Sequence, residues 1–361
     1  MRQLNSEEFI DLRSDTVTLP TDEMLEAIRY AKLGDDVFEE DPTVKKLEEM
    51  AAEKMGKDAA LLVTSGTQAN LVSLLSNTKR GDSVILEAES HIYYYEVGGL
   101  SFVAGLLPIL VRGKNGYMDP VDIETVLRPK DIHYPETTLI CIENTHNRAG
   151  GTIIRPEQIK SLYDFAKAHG LKLYMDGARI FNAAVALKTD VKNFTKYVDN
   201  LMFCLSKGLS CPIGSIIVGN HDFIERARKF RKMLGGGMRQ AGIIAAPGII
   251  ALEKMIDRLE EDHRNARLLA EALSKIDGIA IDLSTVQTNI VMFDVSGLGI
   301  SAYRFVELLK NKKILCLPFS DAKVRMVTHR GIERTHIEKT IVAVEELAKL
   351  AHKKGAHIEI E

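Results

Sequence analysis

Four positions of the chain place a chemically capable side chain directly after a short apolar run. They are Lys207 after residues 201–205, Asp176 after 171–175, His91 after 83–87, and Ser65-Gly66-Thr67 after 59–63. Ligands of α/β sheets bind beyond the carboxyl ends of the strands. If the apolar runs are strands, these four positions are the first candidates for chemistry.

Lys207 is the strongest of the four candidates. It lies in CLSKGLSC, directly behind the apolar run and between small residues. A lysine that emerges from a buried strand is poorly solvated, which lowers the pKa of its amine and leaves more of the neutral form to attack an aldehyde. Most lysines are solvated surface charges, but these apolar surroundings argue against that interpretation.

The other three positions suit the parts of one cofactor. Asp176 can pair with a protonated pyridine nitrogen, although a salt bridge to Arg179 is an alternative. His91 can cover an aromatic ring and exchange protons, or it can be an ordinary loop histidine. The small residues at 65–67 offer helical N–H groups to a phosphate, or form a simple capped turn. With Lys207, they predict pyridoxal 5'-phosphate (PLP) held as a Schiff base.

The pattern around these positions is that of an α/β protein. From residue 59, short continuous apolar runs alternate with amphipathic stretches, as expected for strands buried on both faces of a mainly parallel sheet. The pattern predicts helices over 21–31, 42–55, 240–274, 301–311 and 333–352, and later strands near 278–283, 289–294 and 324–328. We expect three parts: an N-terminal arm (1–58), a PLP-binding large domain (59–260) and a C-terminal small domain (261–361).

Composition excludes several functions. The 361 residues carry a net charge of -3, so no basic surface is expected for nucleic acid or an anionic membrane. The N-terminus lacks the features of a signal peptide, and the longest apolar run, 241–252, is too short to cross a bilayer. We therefore expect a cytoplasmic protein. The cysteines at 141, 204, 211 and 316 form no CxxC pair, so we expect reduced core cysteines and no metal site.

Over nearly its whole length the chain resembles the low-specificity L-threonine aldolases, including the L-allo-threonine aldolase group. The resemblance lies in IDLRSDTVT at 10–18, GDDVF, EDPT, SGTQAN, ESHIYYYE, IENTHN, MDGARIFN, FCLSKGL, KMLGGGMRQAG and RMVTH at 325–329. It implies a fold type I PLP-dependent transferase-like architecture. In that fold a large domain with a mainly parallel seven-stranded sheet is joined to a smaller C-terminal α/β domain.

The resemblance also implies a role for individual residues. Those near the cofactor are Lys207 (Schiff base), Asp176 (pyridine nitrogen), His91 (ring face), Arg179 (ring oxygen or substrate carboxylate), and Ser65, Gly66, Thr67 and Ser206 (phosphate). Those implied for the substrate are Ser14 and Arg325 (carboxylate) and His133 (hydroxyl). Lys232 and Arg239 are expected to reach the phosphate of a neighbouring subunit in a homo-oligomer, a dimer of dimers. Phe38-Glu39 departs from the Tyr-Gly that commonly follows GDDV in this family.

The implied reaction cleaves a 3-hydroxy-amino acid, such as L-threonine or L-allo-threonine, to glycine and an aldehyde such as acetaldehyde. The catalytic group comprises Lys207, Asp176, His91 and His133, and the base is left open among His91, His133 and a water molecule. One alternative is a PLP-dependent lyase that eliminates a β-substituent and releases ammonia and a keto acid, because one fold and cofactor support many reactions. A non-catalytic PLP-binding protein is a third interpretation.

Overall fold

The computed structural model describes residues 9–354, which form two compact units. One unit is Leu19–Ile256, and the other combines the described parts of Met1–Thr18 and Asp257–Glu361. The contact pattern thus groups residues 19–58 with the large sheet. The three-part organisation expected from the sequence stays a prediction.

A seven-stranded sheet forms the centre of the Leu19–Ile256 unit. Its strands are β2 (Ala59–Val63), β3 (Ser83–Glu87), β4 (Leu107–Val111), β5 (Thr137–Glu143), β6 (Lys172–Asp176), β7 (Asn200–Cys204) and β8 (Ser215–Gly219). Their order is β2-β8-β7-β6-β5-β3-β4, and β8 runs antiparallel to both of its neighbours while the other pairs are parallel. Strands β3, β7 and β8 are buried along their whole length, which agrees with the apolar residues at all their central positions. The predicted mainly parallel, seven-stranded sheet is confirmed.

Helices accompany these strands, and several of them begin at a capping side chain. They are α1 (Asp22–Arg29), α2 (Pro42–Met55), α3 (Gly66–Asn77), α4 (His91–Tyr94), α5 (Gly99–Phe102), α6 (Pro120–Val126), α7 (Pro156–Ala168), α8 (Ile180–Ala186), α9 (Lys192–Thr195), α10 (His221–Met233) and α11 (Gly242–Ile250). In α2, for example, the buried Asp41 carboxylate accepts the N–H groups of Thr43 and Val44, and Gly56 ends the helix in the left-handed conformation.

The prediction that 240–274 is helical almost throughout is confirmed. The segment forms α11, a π-helical stretch at Ala251–Met255 and, after a break at residues 256–258, α12 (Leu259–Leu273). Pro247 lies inside α11 and has no N–H for the helical ladder. The π-helical stretch that follows is a single turn, the form in which π-helices mostly occur inside α-helices.

The second unit contains two small sheets. Its elements are β1 (Ile10–Asp11), β9 (Ile290–Asp294), β10 (Ile314–Leu315), β11 (Leu317–Pro318), β12 (Lys323–Val327), α12, α13 (Ala302–Asn311) and α14 (Arg334–Lys354). Strands β11, β12 and β9 form an antiparallel sheet, and β1 pairs with β10 in parallel. The strand expected at 278–283 is wrong: only an isolated bridge joins Ala280 to Asp294, because Gly278 turns the chain at φ 84° and Asp282 forms a turn with Ser284.

Two predictions from composition concern the cysteines and membrane-spanning segments. Cys141, Cys204, Cys211 and Cys316 are all buried and none forms a disulfide. Over residues 9–354, no helix combines the length and the apolar character that a membrane crossing requires.

The Phe38-Glu39 departure has a local structural explanation. Glu39 adopts the left-handed conformation at φ 57°, which glycine accepts without strain. Its carboxylate forms an ion pair with the Nε of Arg228 at 3.0 Å. Phe38 is 70% exposed. Glu39 is therefore held in a backbone conformation that favours glycine, and its carboxylate is paired with Arg228.

The backbone strain at Glu39 can be separated from its ion pair. Glu39→Ala removes the ion pair and keeps the left-handed strain, whereas Glu39→Gly removes both. We expect Glu39→Gly to be more stable than Glu39→Ala by about 1 kcal/mol, the ordinary cost of a left-handed residue with a Cβ. Thermal unfolding of both variants at one protein concentration measures this difference. Equal melting temperatures would contradict the assignment of strain.

Candidate active site

The four candidate positions lie along one edge of the large sheet. Strands β2, β3, β6 and β7 run in the same direction, so their carboxyl ends meet at that edge. The start of α3 also packs against the end of β7, because a Cβ built on Gly66 would lie 3.0 Å from the Sγ of Cys204. The sheet therefore places candidate residues that are far apart in the sequence, from Ser65 to Lys207, along the same edge.

The start of α3 has the properties of an anion site. Ser65 caps the helix by accepting the N–H of Gln68 at 3.1 Å. The N–H groups of Gly66 and Thr67 have no hydrogen-bond partner among the described residues. Unpaired N–H groups in a first turn, together with the helix dipole, favour a phosphate.

Asp176 ends β6 and is only 2% exposed. Its Oδ2 accepts from the Nδ2 of Asn70 at 2.8 Å, and its Oδ1 accepts the backbone N–H of Ala178 at 3.0 Å. Arg179, at the start of α8, is also buried. A buried carboxylate at a strand end suits a cationic partner in a ligand.

Asn70, which the sequence analysis missed, connects Asp176 to a second buried carboxylate. The hydroxyl of Tyr174 donates to the Oδ1 of Asn70 at 2.7 Å, which fixes the orientation of the amide. The Nδ2 then donates to Asp176 and also to the Oε1 of Glu96, at 2.7 Å. Glu96, likewise unpredicted, is 6% exposed.

His91 is held at two points. Its backbone N–H donates to the Oε2 of Glu143 at 2.7 Å, and its Nδ1 lies 2.9 Å from the Oε1 of Glu96. His91, Glu96 and Asp176 each place one polar side-chain atom within 4.8 Å of those of the other two. Burial lowers the pKa of His91, but the hydrogen bond to Glu96 and the charges of Asp176, Glu96 and Glu143 outweigh it, so this pKa is raised.

A second buried pair, His146 with Glu87, contacts the segment just before His91. The Nε2 of His146 lies 3.0 Å from the Oε2 of Glu87, and their side chains are 1% and 7% exposed. Glu87 also accepts the N–H groups of Glu89 and Gly113. Glu87 and Glu143 each end an apolar run, as Asp176 does, so the strand-end signal was present in the sequence for both.

Lys207 lies in the tight connection between β7 and β8. The connection is closed by hydrogen bonds from Leu205 N–H to the Gly214 carbonyl and from Cys211 N–H to the Leu205 carbonyl, both at 3.1 Å. Ser206 and Lys207 are partly buried in it. The lysine is thus placed three residues beyond the end of its strand.

Other predicted residues lie on more exposed parts of this unit. The side chain of His133 is 76% exposed and its Nδ1 lies 2.6 Å from Asp131. Lys232 is exposed, and Arg239, 57% exposed, forms an ion pair with Asp35 at 3.1 Å. Hydrogen bonds do not join them to the network around Asp176 in the described structure, and their roles stay predictions.

Ser14 and Arg325 belong to the second unit. Ser14 caps a 3-10 helix at Asp15–Val17 by accepting the N–H of Thr16. Arg325 lies in β12, and its Nη2 donates to the carbonyl of Arg13 at 3.2 Å. Both side chains are partly buried. Their contact with a substrate carboxylate stays a prediction.

Solved structures of other proteins share this fold. A threonine aldolase from Leishmania major matches with a TM-score of 0.81 at 19% identity, covering 95% of this chain and 99% of that chain. A putative L-allo-threonine aldolase from Listeria monocytogenes matches with a TM-score of 0.79 at 19% identity, covering 95% and 97%. The architecture is that of the fold type I PLP-dependent enzymes.

Sequence relatives define the family. The family model described as beta-eliminating lyase matches residues 11–296. Low-specificity L-threonine aldolase 1 of Arabidopsis thaliana is 43% identical, covering 92% of this chain and 94% of the relative. The low specificity L-threonine aldolase of Escherichia coli K12 is also 43% identical, covering 91% and 96%. This chain belongs to the beta-eliminating lyase family and, within that family, to the low-specificity L-threonine aldolases. Its enzymatic class is lyase.

The buried His146–Glu87 pair should contribute strongly to stability. His146→Ala leaves the Glu87 carboxylate without its side-chain partner, and we expect a loss of about 3 kcal/mol in the free energy of unfolding. The matched control is His169→Ala, because His169 lies 3.2 Å from Glu124 at the surface. That variant should lose no more than about 1 kcal/mol. Urea unfolding at one protein concentration gives both values, and equal losses would contradict the prediction.

Proposed function

We propose that this chain is a PLP-dependent aldolase that cleaves L-threonine and L-allo-threonine to glycine and acetaldehyde. The observation that carries the proposal is the buried Asp176 carboxylate beside His91, at the sheet edge where Lys207 also leaves its strand. The names of the 43% identical relatives support the same reaction.

The residues at this edge fit PLP part by part. The N–H groups of Gly66 and Thr67, which have no partner in residues 9–354, suit its phosphate together with the hydroxyls of Ser65 and Ser206. Asp176 suits the protonated ring nitrogen, because a buried carboxylate is stabilised by a cation. Three further residues complete the set: Lys207 for covalent attachment, His91 for the ring face and Arg179 for the ring oxygen or the substrate carboxylate.

The protein's own groups then have defined tasks. Bound PLP supplies an electron sink at the substrate Cα. Arg325 and Ser14, with Arg179, hold the substrate carboxylate, since an arginine fork binds a carboxylate bidentately. His91, His133 or a bound water takes the proton from the 3-hydroxyl, after which the Cα–Cβ bond breaks and the aldehyde leaves.

The proposal includes a homo-oligomer, a tetramer built as a dimer of dimers in the cytoplasm. Lys232 and Arg239 are exposed, and Lys232 stands beside Gly237 in the glycine-rich segment. Two-fold symmetry lets each subunit lend these cations to the phosphate of the other. Sedimentation at assay concentration tests this assembly, and an active monomer would contradict it.

A second candidate is β-elimination, which the description of the matching family model favours. The two reactions give different products from a 3-hydroxy-amino acid. Glycine with acetaldehyde marks the aldolase, whereas ammonia with a keto acid marks the eliminating lyase. Assaying all four products from L-threonine and L-allo-threonine separates the two candidates.

We predict that Lys207 carries the cofactor. The purified protein should be yellow, and borohydride should fix the cofactor to a single lysine, because only a neutral amine at the strand end can form the link. Peptide mapping after reduction identifies the residue, and Lys207→Ala should remove the label. A label on another lysine would refute the assignment.

We also predict strict selection at Cα with weak selection at Cβ. The carboxylate anchors and the covalently held amine together fix one orientation at Cα, whereas one hydrogen bond to the hydroxyl discriminates by about 1 kcal/mol, which is less than tenfold. Arg325→Ala should therefore impair both L-diastereomers equally, and His91→Asn or His133→Asn should change their ratio.

The measurement is kcat/KM for L-threonine, L-allo-threonine and D-threonine with each of these variants. Appreciable cleavage of D-threonine, or an Arg325 effect confined to one diastereomer, would show that the proposed anchoring is wrong.

A further inference from the structure

Glu96 is a buried carboxylate for which the proposed reaction has no task. It lies between α4 and α5, 6% exposed, with its Oε1 2.9 Å from the Nδ1 of His91 and 2.7 Å from the Nδ2 of Asn70. Burying a carboxylate is costly unless it is paired. Its position five residues after His91 places the partner of the imidazole in the same short segment.

The chemistry of this contact determines the tautomer of His91. An ionised carboxylate only accepts hydrogen bonds, so the Nδ1 facing Glu96 must carry the hydrogen. The neutral imidazole then has its lone pair on Nε2. This Nε2 has no hydrogen-bond partner among the described residues. A ring held in this way is oriented to accept a proton at Nε2.

Asn70 keeps the two nearby carboxylates in place. Because Tyr174 donates to its Oδ1, both hydrogens of the Asn70 amide face the carboxylates, one to Glu96 and one to Asp176. The amide therefore separates two buried acids that would otherwise repel each other. Asp176 is held at the ring nitrogen position while Glu96 is held against His91.

We propose that Glu96 is a positioning residue, which fixes the orientation and tautomer of His91 so that Nε2 takes the proton of the substrate's 3-hydroxyl. This proposal rests on the proposed function for the identity of that proton. It assigns the base to His91 in preference to His133, whose side chain is 76% exposed and contacts Asp131.

The charged groups around His91 support this arrangement. Glu96 faces the ring from its own segment, Asp176 from β6 and Glu143 from β5. Burial disfavours the imidazolium, and these three carboxylates favour it, so the pKa of His91 lies above its ordinary value. Proton uptake by neutral His91 is therefore favoured in this environment.

The test is Glu96→Gln, which keeps the shape of the side chain and removes its charge. In the PLP-loaded enzyme with 13C-labelled histidine, the pH titration of the His91 Cε1 resonance gives its pKa, and His91→Asn identifies the resonance. We expect Glu96→Gln to lower that pKa by about one unit. Glu124→Gln is the matched control, since Glu124 contacts the exposed His169, and it should leave the His91 titration unchanged.

The kinetic profile provides the second measurement. Because neutral His91 is the base, the acid limb of kcat/KM should move to lower pH in Glu96→Gln by the same amount as the NMR titration, and kcat should fall about tenfold. Glu96→Asp keeps the charge but withdraws it from Nδ1 by one methylene, so it should also lower the His91 pKa, though by less than Glu96→Gln. This second variant also serves if Glu96→Gln does not fold.

The outcomes separate this proposal from the proposed function. An unchanged His91 pKa in Glu96→Gln and Glu96→Asp, or an acid limb that does not follow it, would overturn the role of Glu96. A wild-type enzyme that releases no glycine from either diastereomer would instead overturn the proposed function. In that case the NMR titration still tests whether Glu96 controls the protonation of His91.

Discussion

The site depends on one constraint, the burial of several carboxylates at a single sheet edge. Glu87, Glu96, Glu143 and Asp176 are all buried, and a buried carboxylate without donors is unstable. Backbone N–H groups supply many of the donors: Glu143 accepts those of His91 and Asn147, and Asp176 accepts that of Ala178. The segments after β3, β5 and β6 must therefore take conformations that deliver these N–H groups, and the candidate catalytic side chains are fixed with them.

Sequence reasoning identifies the residues that follow strands and misses those that do not. His91, Asp176 and Lys207 stand directly behind apolar runs, and a parallel sheet brings such positions together. Asn70 lies inside α3 and Glu96 between two short helices, so neither has this signal. Asn70 bonds to partners 26 and 106 residues away. Periodicity describes local burial, and it carries no information about which distant polar side chains pair.

Periodicity also misses local interruptions of secondary structure. Over 240–274 the helical pattern is correct, but it does not record the break at residues 256–258 between the π-helical stretch and α12. Near 278–283 the alternation is typical of a strand, yet turns at both ends leave a single bridge. Local propensity was correct for the capped helix α2, where Asp41, Pro42 and Gly56 all agree with the fold.

The connection that carries Lys207 has a consequence for how the site assembles during folding. β7 and β8 are adjacent and antiparallel, so the loop between them closes over few residues, and the entropy lost on closing a short loop is small. The carboxylates of Glu87, Glu143 and Asp176 end β3, β5 and β6, which are parallel strands joined by long crossover connections. Contacts between strands so far apart in the sequence form slowly. The lysine turn belongs to the low-contact-order part of the chain, and the acidic side of the site to the high-contact-order part. We therefore expect the lysine turn to form before β3, β5 and β6 assemble the acidic side of the site.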